Sequence, residues 1–493
     1  MERGRPLDDA DAAREVEGHV EELGDPEGSP ANPSGTLALG ATPEALGRGE
    51  AIDSVGEIWR LAWPLMLSMT LASVVGIADI AMVGRLGATA QAAVGYAAQL
   101  FFLAQSALFA LSFACVALMA RAIGGGRAAE ARRALAASLV VAVSAALVLL
   151  VGIAAHPAPL LARLSASPEV IALCVPYLRL LMTSTVLLAV CLTLESAFRA
   201  DRDTRTPMRI TLAVTVTKLA LNVLLIFGAP SFGVPALGAV GAGFATLLAQ
   251  CVALTLFVTM TRRKPADSPT TLRSRDFRGL SPYFRPLVRI ALPGVAERIV
   301  MNLAMVIYFA FIGTYGTAAA AAYTIGIRIL SFTWIPGTGY SQAVATLVGH
   351  ALGAGDRARA ERSGWRAARL AIATAVVMGA VGAVLRVPLA QLFTVDKDTV
   401  LALGPFMLCL SLAQPAMQLH FTLAGAFRGA GDTVTPLYAA FVGNWLFRVP
   451  LAFLAANVWH LPLIWIWLTL ILDHIARAAW LLTSFVRGRW RRV

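Results

Sequence analysis

The stretch FRADRDTRTP at residues 198–207 recurs as FRGAGDTVTP at residues 427–436, and this repetition decides the fold. The offset of 229 residues also relates Pro64 to Pro293, Gly84 to Gly313, and Gly124 to Gly353, without a gap. Chance matches between alanine-rich segments would not align Gly, Pro, Arg and Asp in one register. The chain therefore contains an internal repeat of two halves, and each half is expected to form one structural unit.

The composition of the chain is that of a membrane protein. The 493 residues are 58% hydrophobic and 14% charged, with a mean hydropathy of +0.70. Soluble proteins average about 45–50% apolar and about 25% charged residues, so lipid is the expected solvent and a soluble enzyme is excluded. The five cysteines lie inside apolar runs without a CxxC pair, which argues against a zinc site, a redox motif or a disulfide framework.

The first 50 residues differ from the rest of the chain. They contain four Arg and twelve Asp or Glu, a net charge of −8, and no apolar run that could serve as a signal peptide. We expect residues 1–54 to be a disordered acidic cytoplasmic tail. An acidic arm that binds a partner is the alternative, and the sequence names no such partner.

The remaining sequence divides into twelve apolar runs of about 20 residues, the length of a helix that crosses the hydrocarbon core. The predicted spans are 58–80, 92–117, 134–155, 170–196, 207–228, 236–261, 287–312, 318–346, 366–386, 399–424, 436–458 and 461–485. The even-numbered loops hold clusters of Arg and Lys, so the positive-inside rule places both termini in the cytoplasm. Topology explains these clusters better than nucleic-acid or specific lipid binding does.

The fold class follows from the repeat and the spans. Each half holds six spans, an even number, so both halves enter the membrane from the same side and are related by a pseudo-two-fold axis along the membrane normal. We predict an all-α polytopic membrane protein with six-helix lobes at residues 55–261 and 287–486, a basic linker at 262–286 and a basic tail at 487–493. Two lobes that face each other across a cleft are typical of alternating-access transport.

Several motifs along residues 55–485 resemble the multidrug and toxic compound extrusion (MATE) transporters. They are Pro64, Asp79, VGRLG at 83–87, the twin loops at 198–207 and 427–436, LPGVAE at 292–297, WIPGTGYSQA at 334–343 and LVGHALGAG at 347–355. The resemblance implies a twelve-helix, two-lobe antiporter that expels amphipathic, often cationic compounds. Inward movement of protons or sodium ions would drive it, and no cofactor is expected besides that coupling ion, H⁺ or Na⁺.

Ionisable side chains inside a span are energetically unfavourable, so each one is a candidate for function. Asp79 lies about 21 residues along the first span and has no basic neighbour in sequence. Its carboxylate could bind the coupling cation or proton in one state and release it in the other, because burial favours the neutral carboxyl group. A helix-end residue satisfied by loop donors is the alternative. In MATE transporters the first-helix Asp belongs to the cation site of the first lobe, which supports the functional interpretation.

Asn222 and Lys218 lie in the fifth span, at a depth similar to that of Asp79. An amide oxygen suits a sodium ion or a carboxyl group, so Asn222 is a second candidate ligand. MATE transporters with this site carry an acidic residue four positions after the Asn, where this chain has Ile226, and this departure favours protons over sodium. Lys218 lies one turn before Asn222 on the same face, and we predict that it pairs with Asp79 in one protonation state. A lysine that snorkels or lines the cleft for anionic groups is the alternative.

The second-lobe candidates for the substrate cleft are Glu297, Asn302 and Tyr308. Glu297 follows a helix-kink proline by four residues and could face the cleft and attract cations, with an ion pair to its neighbour Arg298 as the alternative. Asn302 stands where other MATE transporters have a span-seven Glu, so their second-lobe cation site is not expected here. Tyr308 is the repeat equivalent of Asp79, which suggests that only the first lobe handles the cation.

Two further charge pairs with i, i+4 spacing are interpreted as structural. Asp473 and Arg477 share the twelfth span with His474, and Glu195 and Arg199 lie at the cytoplasmic end of the fourth span. The loops after the fourth and tenth spans are expected to brace helix ends rather than bind substrate, because they combine charges with turn-forming residues.

The predicted function is secondary antiport, the export of amphipathic or cationic compounds in exchange for protons or sodium ions. The alternative is a flippase for a lipid-linked precursor, which would need cleft cations such as Lys218, Arg328 and Arg448 to hold a diphosphate. An HExxH motif and a phosphate-cradling Gly loop are missing from the sequence, so neither an enzyme nor a metal site is expected. We expect a monomer in the plasma (inner) membrane, with the lipid bilayer and small-molecule substrates as partners and no nucleic acid.

Overall fold

The computed structural model of the chain describes residues 55–394 and 396–492. Twelve helices in these ranges are long and apolar enough to cross a membrane. They are α1 (Val55–Gly84), α2 (Ala88–Gly124), α3 (Ala128–Ala154), α4 (Pro168–Ala200), α5 (Arg205–Phe227), α6 (Gly238–Arg262), α7 (Ser281–Gly313), α8 (Thr317–Gly353), α9 (Arg357–Val384), α10 (Lys397–Gly429), α11 (Val434–Val458) and α12 (Leu463–Arg487). The twelve predicted spans are confirmed. The predicted acidic tail, residues 1–54, lies outside the described residues.

The repeat is visible in the helix boundaries. α1 and α7 end at the equivalent residues Gly84 and Gly313, and the short helices after α3 and α9, Pro157–Arg163 and Arg386–Phe393, begin at equivalent positions. Apart from one isolated bridge in the loop after α5, the described ranges contain no strand pairing. The predicted fold class is confirmed, with a lobe of helices α1–α6 and a lobe of helices α7–α12 related by a pseudo-two-fold axis along the membrane normal.

Turn chemistry explains where α5 and α11 begin. Asp203 accepts hydrogen bonds from the backbone N–H of Thr206 at 3.0 Å and from its hydroxyl at 2.8 Å. Asp432 binds Thr435 in the same way, at 3.0 and 2.6 Å. A carboxylate that accepts from the first free N–H groups of a helix stabilises its N-terminus by about 1 kcal/mol. The bracing of helix ends that the sequence predicts is therefore present in both loops.

The two lobes share a hydrophobic core on one side of the membrane only. Because the number of spans is even, both ends of the helical unit lie on one side, here called the terminal face. Near it, Ile58 and Leu61 of α1 belong to the same core as Tyr340 of α8. Near the opposite face, the core around Leu178 contains residues of the first lobe only, and the core around Trp467 contains residues of the second. The lobes therefore separate toward the opposite face, where the cleft between them opens.

Candidate functional site

A cavity of about 450 Å³ lies in the first lobe, among α1, α2, α4, α5 and α6, and Gln342 of α8 also contributes to its wall. The side chains in its middle are apolar and include the rings of Phe101 and Phe109. Asp79 and Lys218 line the part of the cavity that is nearer the opposite face, since Asp79 lies five residues before the end of α1. An apolar chamber with a few charged groups at fixed positions is typical of a small-molecule site.

Three of the predicted site residues, Asp79, Lys218 and Asn222, meet in this lobe. Lys218 Nζ lies 2.7 Å from Asp79 Oδ2, and Asn222 Nδ2 donates to Asp79 Oδ1 at 2.5 Å. The i, i+4 spacing of Lys218 and Asn222 places both on the face of α5 that meets α1, so the predicted approach to Asp79 is present. Asn222 is fully buried, whereas the side chains of Asp79 and Lys218 keep exposed fractions of 24% and 17%.

The amide of Asn222 has an unused acceptor. Its Oδ1 is buried and has no hydrogen-bond partner among the described residues. A protonated Asp79 could donate to this oxygen after the amide turns, because an Asn side chain carries both a donor and an acceptor. The three side chains can therefore hold Asp79 in two forms. The charged form would keep the contact with Lys218, and the neutral form would donate to Asn222.

Few oxygen ligands are available to a cation at Asp79. The site offers one carboxylate and one amide oxygen, and the ammonium of Lys218 already contacts the carboxylate. A metal cation would have to displace that ammonium, whereas a proton needs a single carboxylate oxygen. Elsewhere in residues 55–394 and 396–492, no group of three or more His, Cys, Asp or Glu side chains is arranged to hold a metal ion.

Arg199 lines the cavity toward the terminal face and joins the two lobes. Its guanidinium donates to Gln342 Oε1 of α8, to Ser112 Oγ at 2.8 Å and to Ser196 Oγ at 3.0 Å. The predicted pair with Glu195 is present at 3.8 Å, but the shorter contacts of Arg199 show a role that the sequence analysis missed. The signal for it is the presence of the polar side chains of Arg199 and Gln342 in otherwise apolar helices, where such side chains need partners.

The second-lobe candidates do not converge on one site. Glu297 accepts from Arg428 Nη2 at 2.7 and 3.0 Å, so its ion-pair partner is not its sequence neighbour. Asn302 is half-buried and lines neither the first-lobe cavity nor the water-sized cavity of about 20 Å³ beside Glu297. Tyr308 is fully buried and donates to the carbonyl oxygen of Ile466 at 2.7 Å. The prediction that Tyr308 lines the cleft is therefore corrected, because its ring packs inside the lobe.

A second charged cluster surrounds Asp473 inside the second lobe. Arg477 donates to Asp473 at 2.5 and 2.9 Å, and Arg448 Nη2 lies 2.7 Å from the same carboxylate. His474 Nδ1 and His420 Nε2 are 3.0 Å apart. The predicted pair on α12 is present, and Arg448, at the end of a π-helical segment of α11, completes it. All five side chains are buried, so each charge depends on its partners.

Comparison with known proteins identifies the repeated unit. The MatE family model matches residues 64–224 and 293–454, and the two matches begin at the equivalent prolines of α1 and α7. The probable multidrug resistance protein NorM of Thermotoga maritima is 27% identical over 88% of this chain and 93% of its own length. The probable multidrug resistance protein NorM of Bradyrhizobium diazoefficiens is 30% identical over 84% of this chain and 90% of its own length.

Solved structures show the same fold. The outward-facing conformation of a multidrug resistance MATE family transporter matches with a TM-score of 0.81 at 21% identity, over 89% of this chain and 95% of that one. The Vibrio cholerae MATE transporter VcmN in its bent form matches with a TM-score of 0.82 at 20% identity, over 88% of this chain and 96% of that one. At such identities the likeness supports the arrangement of helices and says nothing of substrates.

Proposed function

This chain belongs to the MatE family, and on that premise we propose that it is a secondary transporter that exports amphipathic small molecules, cations included, by alternating access. The relatives named as probable multidrug resistance proteins support this direction. The observation that carries the proposal is the contact of Asp79 with Lys218 and Asn222 in the wall of the first-lobe cavity. If the Asp79 carboxylate is neutralised by a proton in one state and is charged in another, it can exchange the proton for a substrate cation.

We infer that the coupling ion is the proton. Deprotonated Asp79 attracts the ammonium of Lys218 and also any substrate cation in the cavity. Once Asp79 is protonated, the ammonium of Lys218 is uncompensated and repels a substrate cation. The cavity then holds either the proton or the cation, and this mutual exclusion is what antiport requires. Sodium is the alternative, and it would have to compete with Lys218 for the carboxylate.

The closed terminal face supports alternating access. Arg199 of the first lobe donates to Gln342 of the second, and His350 Nε2 lies 2.6 Å from the carbonyl oxygen of Ala200. Basic even-numbered loops favour cytoplasmic termini, so this state of the protein would open to the outside of the plasma membrane. Export then requires a second state in which these contacts break and the lobes close on the opposite face. We propose a monomer, since one chain supplies both lobes.

The alternative function, a flippase for a lipid-linked precursor, has less support from the contacts. Of the three cations considered for it, Lys218 is paired with Asp79 and Arg448 with Asp473. Arg328 is exposed and has no ion pair among the described residues. A diphosphate head group would therefore meet one free cation from this set rather than three.

The test uses purified protein in liposomes loaded with a fluorescent amphipathic cation, with pH and sodium gradients imposed separately. We expect efflux under the pH gradient, and its loss in Asp79→Asn, which keeps the shape of the side chain but cannot titrate. Asp398→Asn, which changes an exposed carboxylate in the first turn of α10, is the matched control. Undiminished pH-driven efflux in Asp79→Asn would contradict coupling in the first lobe. Efflux driven only by the sodium gradient would contradict proton coupling. No efflux under either gradient would favour the flippase.

A further inference from the structure

An arginine without an acidic partner lies near the middle of a membrane helix in the second lobe. Arg298 is the eighteenth of the 33 residues of α7, which is about 50 Å long. Among residues 55–394 and 396–492, no side chain forms a hydrogen bond or ion pair with its guanidinium. The adjacent Glu297 forms its ion pair with Arg428, at 2.7 Å, rather than with Arg298. An ionised side chain at this depth without a partner points to a function.

The helical register places Arg298 toward the other lobe. One turn before it, α7 meets α2 so closely that a Cβ on Gly294 would lie 3.3 Å from the Cβ of Ala110. Ala291, on the same face of α7, packs in a core with Ala114 of α2. Residues four apart share a helix face. Arg298 therefore faces the first lobe just beyond these contacts, where the lobes begin to separate.

A second arginine lies on the same wall of the cleft. Arg328 of α8 precedes Gly339 by eleven residues, or three helical turns, and so shares its face. Gly339 is the point where α8 meets Met66 of the first lobe, and Arg328 is exposed where that contact has ended. Across the cleft, α2 exposes neutral and apolar side chains, among them Gln99 and Phe102.

Arg298 and Arg328 have no positively charged equivalents in the first lobe. The repeat equivalents of Arg298 and Arg328 are Met69 and Gln99, both neutral. Met69 lines the first-lobe cavity, whose wall also includes Gln342 of the second lobe, so by the pseudo-two-fold axis Arg298 lies on the corresponding part of the second lobe, toward the first. The first lobe reaches the same helix arrangement without charges at these two positions.

We propose that Arg298, together with Arg328, forms an anion subsite in the cleft between the lobes, and that exported amphipathic compounds, those with a cationic group included, carry a carboxylate or phosphate on the same apolar body. The inference rests on the proposed function and adds the substrate class to it. A guanidinium binds such groups through paired hydrogen bonds. Phe102 and Leu103, with exposed fractions of 53% and 50%, offer an apolar surface on the facing helix. A soluble amphiphile and a lipid head group present the same chemistry.

The experiment compares three fluorescent probes that share a dansyl body and end in a carboxylate, a neutral amide or an amine. Binding is measured by fluorescence with the full chain in phosphatidylcholine nanodiscs. We expect the carboxylate probe to bind about tenfold or more tightly than the amide probe, and this preference to vanish in Arg298→Gln. Arg298→Lys should retain part of the preference, since it keeps the charge. Arg289→Gln removes an exposed arginine from the same helix nearer the terminal face and should change nothing.

Equal binding of the carboxylate and amide probes by the unmodified chain would overturn the anion subsite. A preference that persists in Arg298→Gln would do the same, and unchanged binding of the amide probe shows that this variant is folded. The binding measurement needs no gradient, so the two proposals can fail separately. A preference for the carboxylate probe without gradient-driven efflux would contradict the proposed function but not the anion subsite. Gradient-driven efflux without that preference would contradict the anion subsite but not the proposed function. Added phosphatidylglycerol that competes with the carboxylate probe assigns the subsite to a lipid head group, and lack of competition assigns it to a soluble amphiphile.

Discussion

Gly124 at the end of α2 and Gly353 at the end of α8 are repeat equivalents, and each packs against the backbone of the other's helix. A Cβ on Gly124 would collide with the carbonyl group of His350, and a Cβ on Gly353 would collide with the carbonyl group of Arg121. Arg121 and His350 are themselves repeat equivalents. The contact therefore obeys the pseudo-two-fold axis, and the close approach of the two helices leaves no room for a side chain at either position.

Gly124→Ala is expected to push the two helices apart and to disfavour the state closed at the terminal face, because overpacking a tight contact costs about 1–3 kcal/mol. Spin labels at Ala129→Cys and Ala358→Cys, two exposed equivalent positions, should report a longer or broader distance in a Cys251→Ala background. Efflux should slow by about tenfold. Gly152→Ala adds the same methyl group into open space on α3 and should leave the distance as it is. An unaltered distance in Gly124→Ala would show that the contact is not required for closure.

Lys218→Met is expected to impair pH-driven efflux. The substitution removes the ammonium that lies 2.7 Å from the Asp79 carboxylate, and with it the charge that would repel a substrate cation once a proton is bound. Efflux under the pH gradient should slow by about tenfold. Lys264→Met, which breaks an ion pair with Asp201 outside the cavity, is the control and should keep the original rate. An unchanged rate in Lys218→Met would exclude Lys218 from coupling.

Asp473→Asn is expected to destabilise the fold. The substitution leaves the guanidinium groups of Arg448 and Arg477 buried without a carboxylate between them, and breaking a buried pair costs about 3–5 kcal/mol. Thermal unfolding in detergent should occur at a clearly lower temperature than for the unmodified chain, whereas Asp398→Asn at an exposed site should change little. A variant as stable as the parent but inactive in efflux would instead place this cluster in the transport machinery.

The helices and the first-lobe site could be predicted because their signals are local. Apolar runs of membrane length identify the helices one by one, and the unbroken repeat fixes their grouping into two lobes. The contact of Lys218 with Asp79 follows from similar reasoning. Two opposite charges at the same depth in an apolar lobe have few other partners, and Asn222, one turn from Lys218, joins them.

Contacts between side chains of different helices that are far apart in sequence could not be predicted in this way. Glu297 is bound by Arg428 from another helix rather than by its neighbour Arg298, and no spacing in the sequence indicates that choice. Tyr308 illustrates the same limit, because the repeat gives its position but not the packing of its ring inside the lobe. The contact of Arg199 with the other lobe was missed since the nearby Glu195 already explained its charge.

Arg199→Lys is expected to open the terminal face while keeping a positive charge in the cavity. A lysine can still approach Glu195, but its single nitrogen does not reproduce the planar fork that reaches Gln342 and two serines at once. The label pair used for Gly124→Ala should then show a broader distance, and efflux should slow by about tenfold. Arg205→Lys, at an exposed position on the first turn of α5, should affect neither quantity. If efflux stops in Arg199→Lys while the label distance is unchanged, the guanidinium acts on the contents of the cavity rather than on the closure of the lobes, so the two measurements together separate these roles.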